Sequence, residues 1–250
     1  IGGEEPGYAK IAAIYASLGL RCAWIPMEQD GISLDVLQKS GADAVHISPS
    51  HHFPTGAITS IGKRYALLGW AAEGRYIIED DYDSEFRLAG KPIPSLFSID
   101  VTDRVIYMNT FSKSLTPTIR ISYMILPFPL LERYRTSLSC YSCAVSTFEQ
   151  YTLASFIKKG YFEKHIHRMR KHCRDSRDSF FTAVQDSPLF RDAVITGTSA
   201  GLHCLVTFDT DLPDTYLLEE AQKMDLHASL LSSYFHVPPT ESLHQLVIEY

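Results

Sequence analysis

The sequence lacks any apolar run that reaches the roughly 18 residues of a membrane-spanning helix. The best candidate, YMILPFPLL, is interrupted by Pro127 and Pro129. It also lacks an excess of positive charge, since 23 Lys and Arg stand against 29 Asp and Glu and the net charge is −6. Domains that bind nucleic acid usually carry a basic face. We therefore expect neither a membrane protein nor a segment that itself binds DNA.

Cysteine is scarce and scattered, with five residues along the chain. Cys140 and Cys143 have CxxC spacing, but without a second pair or a nearby histidine doublet this is a weak signal for zinc or redox chemistry. Reduced thiols are the simpler interpretation. The opening residues IGGEEPGY also lack the charged and apolar regions of a signal peptide. These features predict a cytoplasmic protein without a metal site.

What the first half of the sequence does have is strands that alternate with helices. Helical spacing, with Pro6 as the opening residue of the first helix, predicts helices at 6–19, 34–39 and 60–72. Apolar segments predict strands at 21–27, 42–48, 75–80, 103–109 and 121–127. This alternation predicts an α/β fold, a three-layer sandwich with a mostly parallel sheet, in which residues 1–127 form part of a large domain.

The pattern changes near residue 128. Ser146 and Glu149 have the spacing of a capping box, and Gly160 is typical of a helix end. A long charged helix is predicted at 161–185, followed by strands at 201–208 and 244–250 with a helix near 213–224 between them. Residues 128–250 are therefore predicted to supply interdomain helices and a smaller C-terminal α+β domain.

The segment NTFSKSLTPTIR carries a chemical signal. Lys113 lies close to Thr110 and Ser112, directly after a predicted buried strand, and Arg120 follows beyond a proline. Desolvation at the end of a buried strand lowers the pKa of an amine and frees it as a nucleophile. Hydroxyls and a guanidinium suit a phosphate. Pyridoxal phosphate, with an aldehyde for the amine and a phosphate for the other groups, fits this pattern; an ordinary polar surface turn is the alternative.

The acidic run IIEDDYDSEF is the second signal. Pyridoxal chemistry needs a carboxylate beside the pyridine nitrogen. Asp80 and Tyr82 are two residues apart, so along a strand they share a face, while Glu79 and Asp81 face the other way. Asp80 is thus the candidate for the ring nitrogen and Tyr82 for the phenolic oxygen. A Mg²⁺ or Ca²⁺ site is the alternative, although the run lacks the glycine and alternating oxygen ligands of a calcium loop.

These motifs resemble a known family. EDDYDSEFR, PSHHFPTG and TFSKSLTPTIRISYMILP are similar to segments of the fold-type I aminotransferases, which depend on pyridoxal phosphate. More narrowly, they resemble the aminotransferase-like domain of MocR/GabR-type transcription regulators of the GntR family. GYFEKHIHRMRKHCRDSRD and TGTSAGLHCLV resemble the same group, so the resemblance covers nearly the whole chain.

The resemblance implies a role for each site residue. Lys113 would carry the Schiff base, Asp80 would meet the pyridine nitrogen and Tyr82 the phenolic oxygen. The implied phosphate contacts and the aromatic residue that stacks on the ring are Thr110, Ser112, Arg120 and Tyr8. The family also implies a homodimer, in which DNA is bound only by a domain upstream of Ile1.

The sequence departs from the family pattern at several positions. Phe53 stands where aminotransferases have the asparagine that helps to hold the phenolic oxygen, and His52 is the candidate replacement. The family's proline, here Pro54, often follows a cis bond. Val247 aligns with the arginine that binds the substrate carboxylate. Lys10 aligns with an arginine of GABA-responsive relatives and is the candidate contact for an acid group of an effector.

Two functions are compatible with this sequence. The first is the effector-sensing domain of a transcription regulator, with an amino compound or pyridoxal phosphate itself as the signal. The second is a working aminotransferase that acts on an amino acid or amine. The EDDYDSEF and HHFPTG motifs and the missing carboxylate arginine favour the regulator. A degenerate fragment without bound cofactor is a third, simpler interpretation.

Overall fold

The computed structural model describes residues 1–88, 93–187, 193–198 and 202–249. Within these ranges the strands are β1 (Gly2–Glu5), β2 (Ala23–Glu28), β3 (Gly31–Ile32), β4 (Ala44–Ile47), β5 (Tyr76–Asp80), β6 (Val105–Thr110), β7 (Ser122–Ile125), β8 (Ala193–Thr196), β9 (His203–Phe208), β10 (Ala228–Leu230) and β11 (Gln245–Glu249). The helices are α1 (Ala9–Ser17), α2 (Leu34–Lys39), α3 (Ile61–Ala72), α4 (Leu96–Ile99), α5 (Phe111–Ser114), α6 (Phe128–Ser137), α7 (Thr147–Lys158), α8 (Tyr161–Gln185) and α9 (Asp214–Lys223).

The first seven strands form one sheet in the order β3-β2-β1-β4-β5-β6-β7. The pairs from β2 through β1, β4 and β5 to β6 are parallel, whereas β3 and β7 are antiparallel edge strands. The apolar residues of β2, β4 and β5 form one core with α2, α3 and α4. The predicted α/β class with a mostly parallel sheet is therefore confirmed.

The start of the chain differs from the prediction. Gly2–Glu5 is a strand in the middle of the large sheet, and the first helix begins at Ala9 rather than at Pro6. The two glycines conceal this strand in the sequence, but close packing requires them. A Cβ on Gly3 would lie 2.6 Å from the Trp24 ring, and one on Gly2 would lie 3.2 Å from Val45. A glycine inside a strand often marks such a close approach.

The second sheet is small and antiparallel, in the order β10-β11-β9-β8. Its buried side chains pack with α9 and with Phe180 of α8. On the other side, Leu205, Leu231 and Val247 pack against Phe53, which belongs to the loop after β4. The small sheet is thereby attached directly to the large one. The domain boundary at residue 127 stays a prediction.

In the second half the structure has the predicted helices α7, α8 and α9 and strands β9 and β11, and it adds α6, β8 and β10, which were not predicted. Ser146 and Glu149 form the predicted capping box of α7, and α8 spans the predicted residues 161–185. Gly201 and Tyr250, at the ends of two predicted strands, lie outside the described residues. No helix in the described ranges is both long enough and apolar enough to span a bilayer. All five cysteines are free thiols.

Candidate functional site

The carboxyl ends of β4, β5 and β6 meet at one edge of the large sheet because these strands are parallel neighbours. In sheets of this kind, ligands bind outside the carboxyl ends of the strands. Ser48, Asp80 and Thr110, at or just beyond these ends, line a cavity of about 580 Å³. This volume is typical of small-molecule sites. The same cavity is lined by most of the residues singled out in the sequence, namely Tyr8, Asp80, Tyr82, Thr110, Ser112, Lys113 and Arg120.

Lys113 is positioned by the single helical turn α5, which follows β6 without a break. The Thr110 hydroxyl accepts a hydrogen bond from the backbone N–H of Ser112 (3.2 Å) and donates one to the Ile121 carbonyl (3.3 Å). The lysine therefore projects from a well-held backbone. It is exposed, contrary to the expectation of a desolvated amine, because the helical turn carries it beyond the buried end of β6.

The side chains at and just after the end of β5 divide between the cavity and the interior. Asp80 and Tyr82 line the cavity. Glu79 points into the protein and is fully buried, and Asp81 is buried where it accepts a hydrogen bond from the Tyr107 hydroxyl (2.6 Å). Burial raises the pKa of Tyr82 well above its ordinary value, so this phenol keeps its proton. The cavity edge thus presents one carboxyl group and one neutral phenol side by side.

Arg120 reaches the cavity from a strained backbone position. Its φ is 51°, in the left-handed region that residues other than glycine seldom adopt. The neighbouring Ile121 is buried, and its carbonyl accepts a hydrogen bond from the backbone N–H of Phe111 (2.9 Å). This bond ties the residue after Arg120 to the turn that carries Lys113. Strain of this kind persists where the surrounding structure holds it, and it is frequent at ligand sites.

Aromatic side chains form the opposite wall of the cavity. Tyr8 and Phe53 meet edge to face, with ring centroids 6.2 Å apart. The His236 ring stacks on Trp24 at a centroid distance of 3.5 Å. Glu5 accepts a hydrogen bond from the backbone N–H of His236 (2.8 Å) and pairs with Nδ1 of its ring. This group joins β1 and β2 to the loop that follows β10.

Two of the predicted contacts do not line the cavity. His52 is almost fully buried, with Nδ1 2.7 Å from the Thr55 hydroxyl. Phe53, the next residue, faces the cavity instead, after which Pro54 follows a cis bond. The placement of His52 thus gives no support to its predicted role. Lys10 lies outside the cavity on α1, with its ammonium 5.8 Å from the centroid of the Tyr8 ring.

Val247 is part of an apolar cluster rather than of a polar clamp. It is 2% exposed in β11 and packs with Leu205, Leu231 and Phe53. A guanidinium at this position would need a buried partner that these apolar side chains do not provide. Two residues further along the same strand, Glu249 lines the cavity. The side of the cavity formed by β11 therefore carries a carboxyl group.

Several cavity residues were missed in the sequence, among them Glu4, Trp24, His46, His236 and Glu249. His46 left a signal, since it is a titratable residue inside the apolar strand β4. Glu4 left little signal in the sequence, because the strand that contains it was not predicted. Trp24 and His236 come together only through the packing of the small sheet, which no local pattern encodes.

Glu4 has an unusual protonation state. Its carboxyl group accepts a hydrogen bond from the backbone N–H of Ser48 (3.0 Å) and lies 3.6 Å from Nε2 of His52. Burial, with a smaller effect of the negative charge of Asp80, raises the pKa of Glu4 to about 8. Burial lowers the pKa of His52 to about 3. Glu4 is therefore mostly protonated at pH 7, and the His52 ring is neutral.

The described residues contain no group of three or more His, Cys, Asp or Glu side chains arranged to hold a metal ion. The cavity instead combines an amine, a guanidinium, hydroxyl groups and a carboxylate. These are the donors and acceptors that an organic phosphate with a basic ring would need.

Known proteins with similar sequences are mostly regulators. The HTH-type transcriptional regulator YdeL of Bacillus subtilis is 43% identical over 245 residues, which are 97% of this chain and 53% of YdeL. The probable rhizopine catabolism regulatory protein MocR of Rhizobium meliloti is 34% identical over 240 residues, which are 95% of this chain and 48% of MocR. The chain thus spans about half the length of the curated relatives it matches. No protein-family model matches.

Solved structures with a similar fold include aminotransferases. The kynurenine aminotransferase of Pyrococcus horikoshii superposes with a TM-score of 0.86 at 23% identity, over 100% of this chain and 63% of the other. Identity this low establishes the fold alone. The regulator relatives assign this chain to the MocR-type transcription regulators. Its fold identifies it as their aminotransferase-like domain.

Proposed function

We propose that the cavity binds pyridoxal phosphate and that the domain senses a small molecule for a transcription regulator. The observation that supports the proposal is that residues from three separate segments of the chain line the same cavity. Asp80 ends β5, Tyr82 follows it, Lys113 lies on α5 and Arg120 precedes β7, yet all four line one cavity. A surface turn with ordinary polar residues would not bring these three segments together around one cavity.

Each polar group has a partner on the cofactor. Lys113 supplies the amine for the aldehyde, and Arg120 binds the phosphate with the hydroxyls of Ser112 and Thr110, the latter turning its O–H from the Ile121 carbonyl to the phosphate. A guanidinium suits this task because it offers a planar fork of donors to phosphate oxygens. When bound, pyridoxal phosphate supplies an aldehyde that reacts with amines and a ring that draws electrons away from them.

The ring would be held by the remaining residues of the site. Asp80 accepts a hydrogen bond from the protonated ring nitrogen, and Tyr82, whose phenol keeps its proton, donates one to the phenolic oxygen. Tyr8 covers one face of the ring. Its side chain is free to do so because it is 46% exposed and lines the cavity. We propose no cofactor contact for His52, since Phe53 occupies the cavity wall there.

Sensing fits the cavity better than rapid turnover does. A transaminase benefits from a fixed arginine that orients the carboxylates of its substrates, because misplaced substrates react slowly. Val247 is buried in an apolar cluster at that position. A sensor needs only a ligand that binds one conformation better than another. The signal would be an amino compound or pyridoxal phosphate itself, with Lys10 beside Tyr8 as the candidate contact for an acid group.

The other partners lie beyond this chain. The relatives are named as HTH-type regulators and are about twice as long as the matched segment. We infer that DNA binding belongs to an HTH domain elsewhere in the full-length protein, and that the protein is a cytoplasmic homodimer. The net charge of −6 agrees with a domain that does not itself bind DNA.

The cofactor assignment predicts a single labelled lysine. When the full-length protein is incubated with pyridoxal phosphate and reduced with borohydride, peptide mass mapping should find the cofactor on Lys113. Lys113→Ala should remove the label. Lys63→Ala is the matched control and should keep it, because the Lys63 ammonium pairs with Glu28 and Asp30, at 2.6 Å from each, outside the cavity. Label on a different lysine, or none, contradicts the assignment.

The choice between sensor and enzyme calls for a paired measurement on the full-length protein. We expect little steady-state transamination with common amino acids, because no arginine stands at Val247 to orient them. We expect the affinity for operator DNA to change when pyridoxal phosphate or an amine is added. Product should be followed over many turnovers, and DNA binding with and without ligand. Rapid turnover with ligand-independent DNA binding would restore the aminotransferase.

A further inference from the structure

His46 occupies an unexpected place for a titratable residue. It lies in β4, between β1 and β5 at the centre of the large sheet, and is 8% exposed. Its ring stands between two other polar groups. Nδ1 is 2.7 Å from the Tyr15 hydroxyl, and Nε2 is 3.5 Å from Oδ2 of Asp80. The contact with Asp80 is at ion-pair distance rather than a hydrogen bond, since Nε2 has no hydrogen-bond partner in the described part of the chain.

The Tyr15 contact couples the hydroxyl to the tautomer of His46. Burial, with smaller contributions from Cys22 and Asp80, raises the pKa of Tyr15 to about 12, so its hydroxyl keeps its proton and is able to donate it to Nδ1 of His46. A neutral imidazole that accepts at Nδ1 carries its own proton on Nε2. That N–H is the one on the side of Asp80.

Asp80 lines the cavity, so a group that holds its carboxyl group in place acts directly on the site. The nearby carboxyl group of Glu4 is mostly protonated at pH 7, because burial raises its pKa to about 8. A carboxylate that lines an open cavity has several rotamers available, and a hydrogen-bond donor behind it restricts them. Supporting hydrogen bonds of this kind position the groups that contact a ligand.

We propose that Tyr15 and His46 form a relay that positions the Asp80 carboxylate for the ring nitrogen of pyridoxal phosphate. His46 is thus a positioning residue that acts through Asp80. The cofactor part of this inference rests on the proposed function. The Tyr15–His46–Asp80 arrangement itself is a property of the protein without cofactor, so the two are tested separately.

The first measurement needs no cofactor. In full-length protein labelled with ¹⁵N-histidine, NMR should show His46 with its proton on Nε2. Tyr15→Phe removes only the hydroxyl that imposes this tautomer, and His46 should then show a mixture of both. A proton on Nδ1 in the unmodified protein, or no change in Tyr15→Phe, would overturn the relay even if pyridoxal phosphate is bound as proposed.

The second measurement follows the ring nitrogen of bound ¹⁵N-pyridoxal phosphate. His46→Phe removes the donor behind Asp80 and should shift this nitrogen towards its unprotonated state. The dissociation constants of pyridoxal phosphate and of pyridoxal should rise by the same factor, on the order of tenfold, because both ligands have the ring. His46→Gln, whose amide can donate in place of Nε2, should recover part of both effects.

The outcomes separate the relay from the cofactor assignment. If the unmodified protein binds no pyridoxal phosphate, the proposed function fails, and the tautomer of His46 still decides whether the relay exists. If the cofactor binds and its ring nitrogen stays protonated in His46→Phe, the positioning role of His46 is wrong. A variant that merely loosened the fold would lower affinity without recovery in His46→Gln, which would also contradict the relay.

Discussion

Arg64→Met should lower the free energy of unfolding by about 3 kcal/mol at pH 8, because it leaves a buried carboxylate without its partner. Arg64 and Glu79 are both fully buried, with an N···O distance of 3.6 Å. The guanidinium also donates hydrogen bonds to three backbone carbonyls, those of Pro49, Thr59 and Pro94, at 2.7–3.1 Å. Methionine fills most of the space but offers none of these donors.

The loss of stability in Arg64→Met affects the site because the Arg64–Glu79 pair joins the segments that surround the end of β5. The carbonyls that Arg64 binds belong to the loop after β4, the start of α3 and the segment before α4. Glu79 accepts hydrogen bonds from the backbone N–H groups of Leu96 (2.8 Å) and Phe97 (2.9 Å) at the start of α4. It also immediately precedes Asp80 in β5. The buried pair therefore fixes the strand end from the side opposite to the cavity.

The loss of unfolding free energy in Arg64→Met should grow as the pH rises. Burial already raises the pKa of Glu79 to about 7, and loss of the neighbouring positive charge raises it further. An acid whose pKa is higher in the folded state holds its proton there while the unfolded chain has lost it. Stability therefore falls in both proteins as pH rises from about 4.5 towards the folded pKa, and the deficit of the variant grows above about pH 7, where Glu79 of the unmodified protein has lost its proton. At pH 5 Glu79 is neutral in the variant, and the loss should be limited to the three carbonyls.

Chemical denaturation at pH 5 and pH 8 measures both parts of this prediction. Arg75→Met is the matched control, because the Arg75–Glu73 pair lies at the surface of the same region and should cost no more than about 1 kcal/mol. Adding Glu79→Gln to Arg64→Met removes the unpaired charge and should recover the pH-dependent part of the loss at pH 8, while the loss from the three carbonyls remains. A deficit that is equal at the two pH values, or equal to that of Arg75→Met, would contradict the assignment of a buried ion pair.

The sequence predicted the parts of the site that local pattern encodes. Asp80 and Tyr82 line the cavity together although the strand ends at Asp80, and Lys113 follows a strand that is recognisably apolar. The long helix α8 and the capping box at Ser146 also follow local rules.

What the sequence could not show depends on packing between distant segments. β1 was not predicted because its two glycines are typical of a loop. The reason for the glycines is the close approach of Trp24 and Val45, which only the structure shows. The prediction for His52 depended on which of two adjacent side chains turns towards the cavity, and Phe53 does. The exposure of Lys113 depends on one added turn of helix. The contact between Tyr15 and His46 joins residues that no spacing rule connects.

Arg120→Ala should raise the dissociation constant of pyridoxal phosphate by about 10- to 150-fold. Hydrogen bonds to a charged group contribute roughly 1.5–3 kcal/mol, and each 1.4 kcal/mol is a factor of ten. Arg120 lines the cavity beside Lys113 and is held in place by its neighbours on the chain. The dissociation constant of Arg120→Lys should lie between those of the unmodified protein and of Arg120→Ala, because an ammonium keeps the charge but loses the planar fork of donors.

The backbone of Arg120 allows affinity and stability to be separated. Glycine adopts a φ of 51° without the strain that a Cβ causes. Arg120→Gly should therefore lose the phosphate contact without loss of stability. Arg120→Ala keeps the strain and loses the same contact. Equal losses of affinity in these two variants, with the glycine variant the more stable to denaturant, would attribute the affinity to the guanidinium rather than to the fold.

The deciding comparison uses two ligands that differ only in the phosphate. Pyridoxal keeps the aldehyde and the ring, so its affinity should be nearly unchanged in Arg120→Ala, whereas that of pyridoxal phosphate falls. Arg104→Ala, in which the lost side chain lies against Tyr76 away from the cavity, should change neither. If pyridoxal and pyridoxal phosphate lose affinity equally in Arg120→Ala, Arg120 does not bind the phosphate. The ligand would then have to lie in the cavity with its phosphate elsewhere, and the roles assigned to Asp80 and Lys113 would change with it.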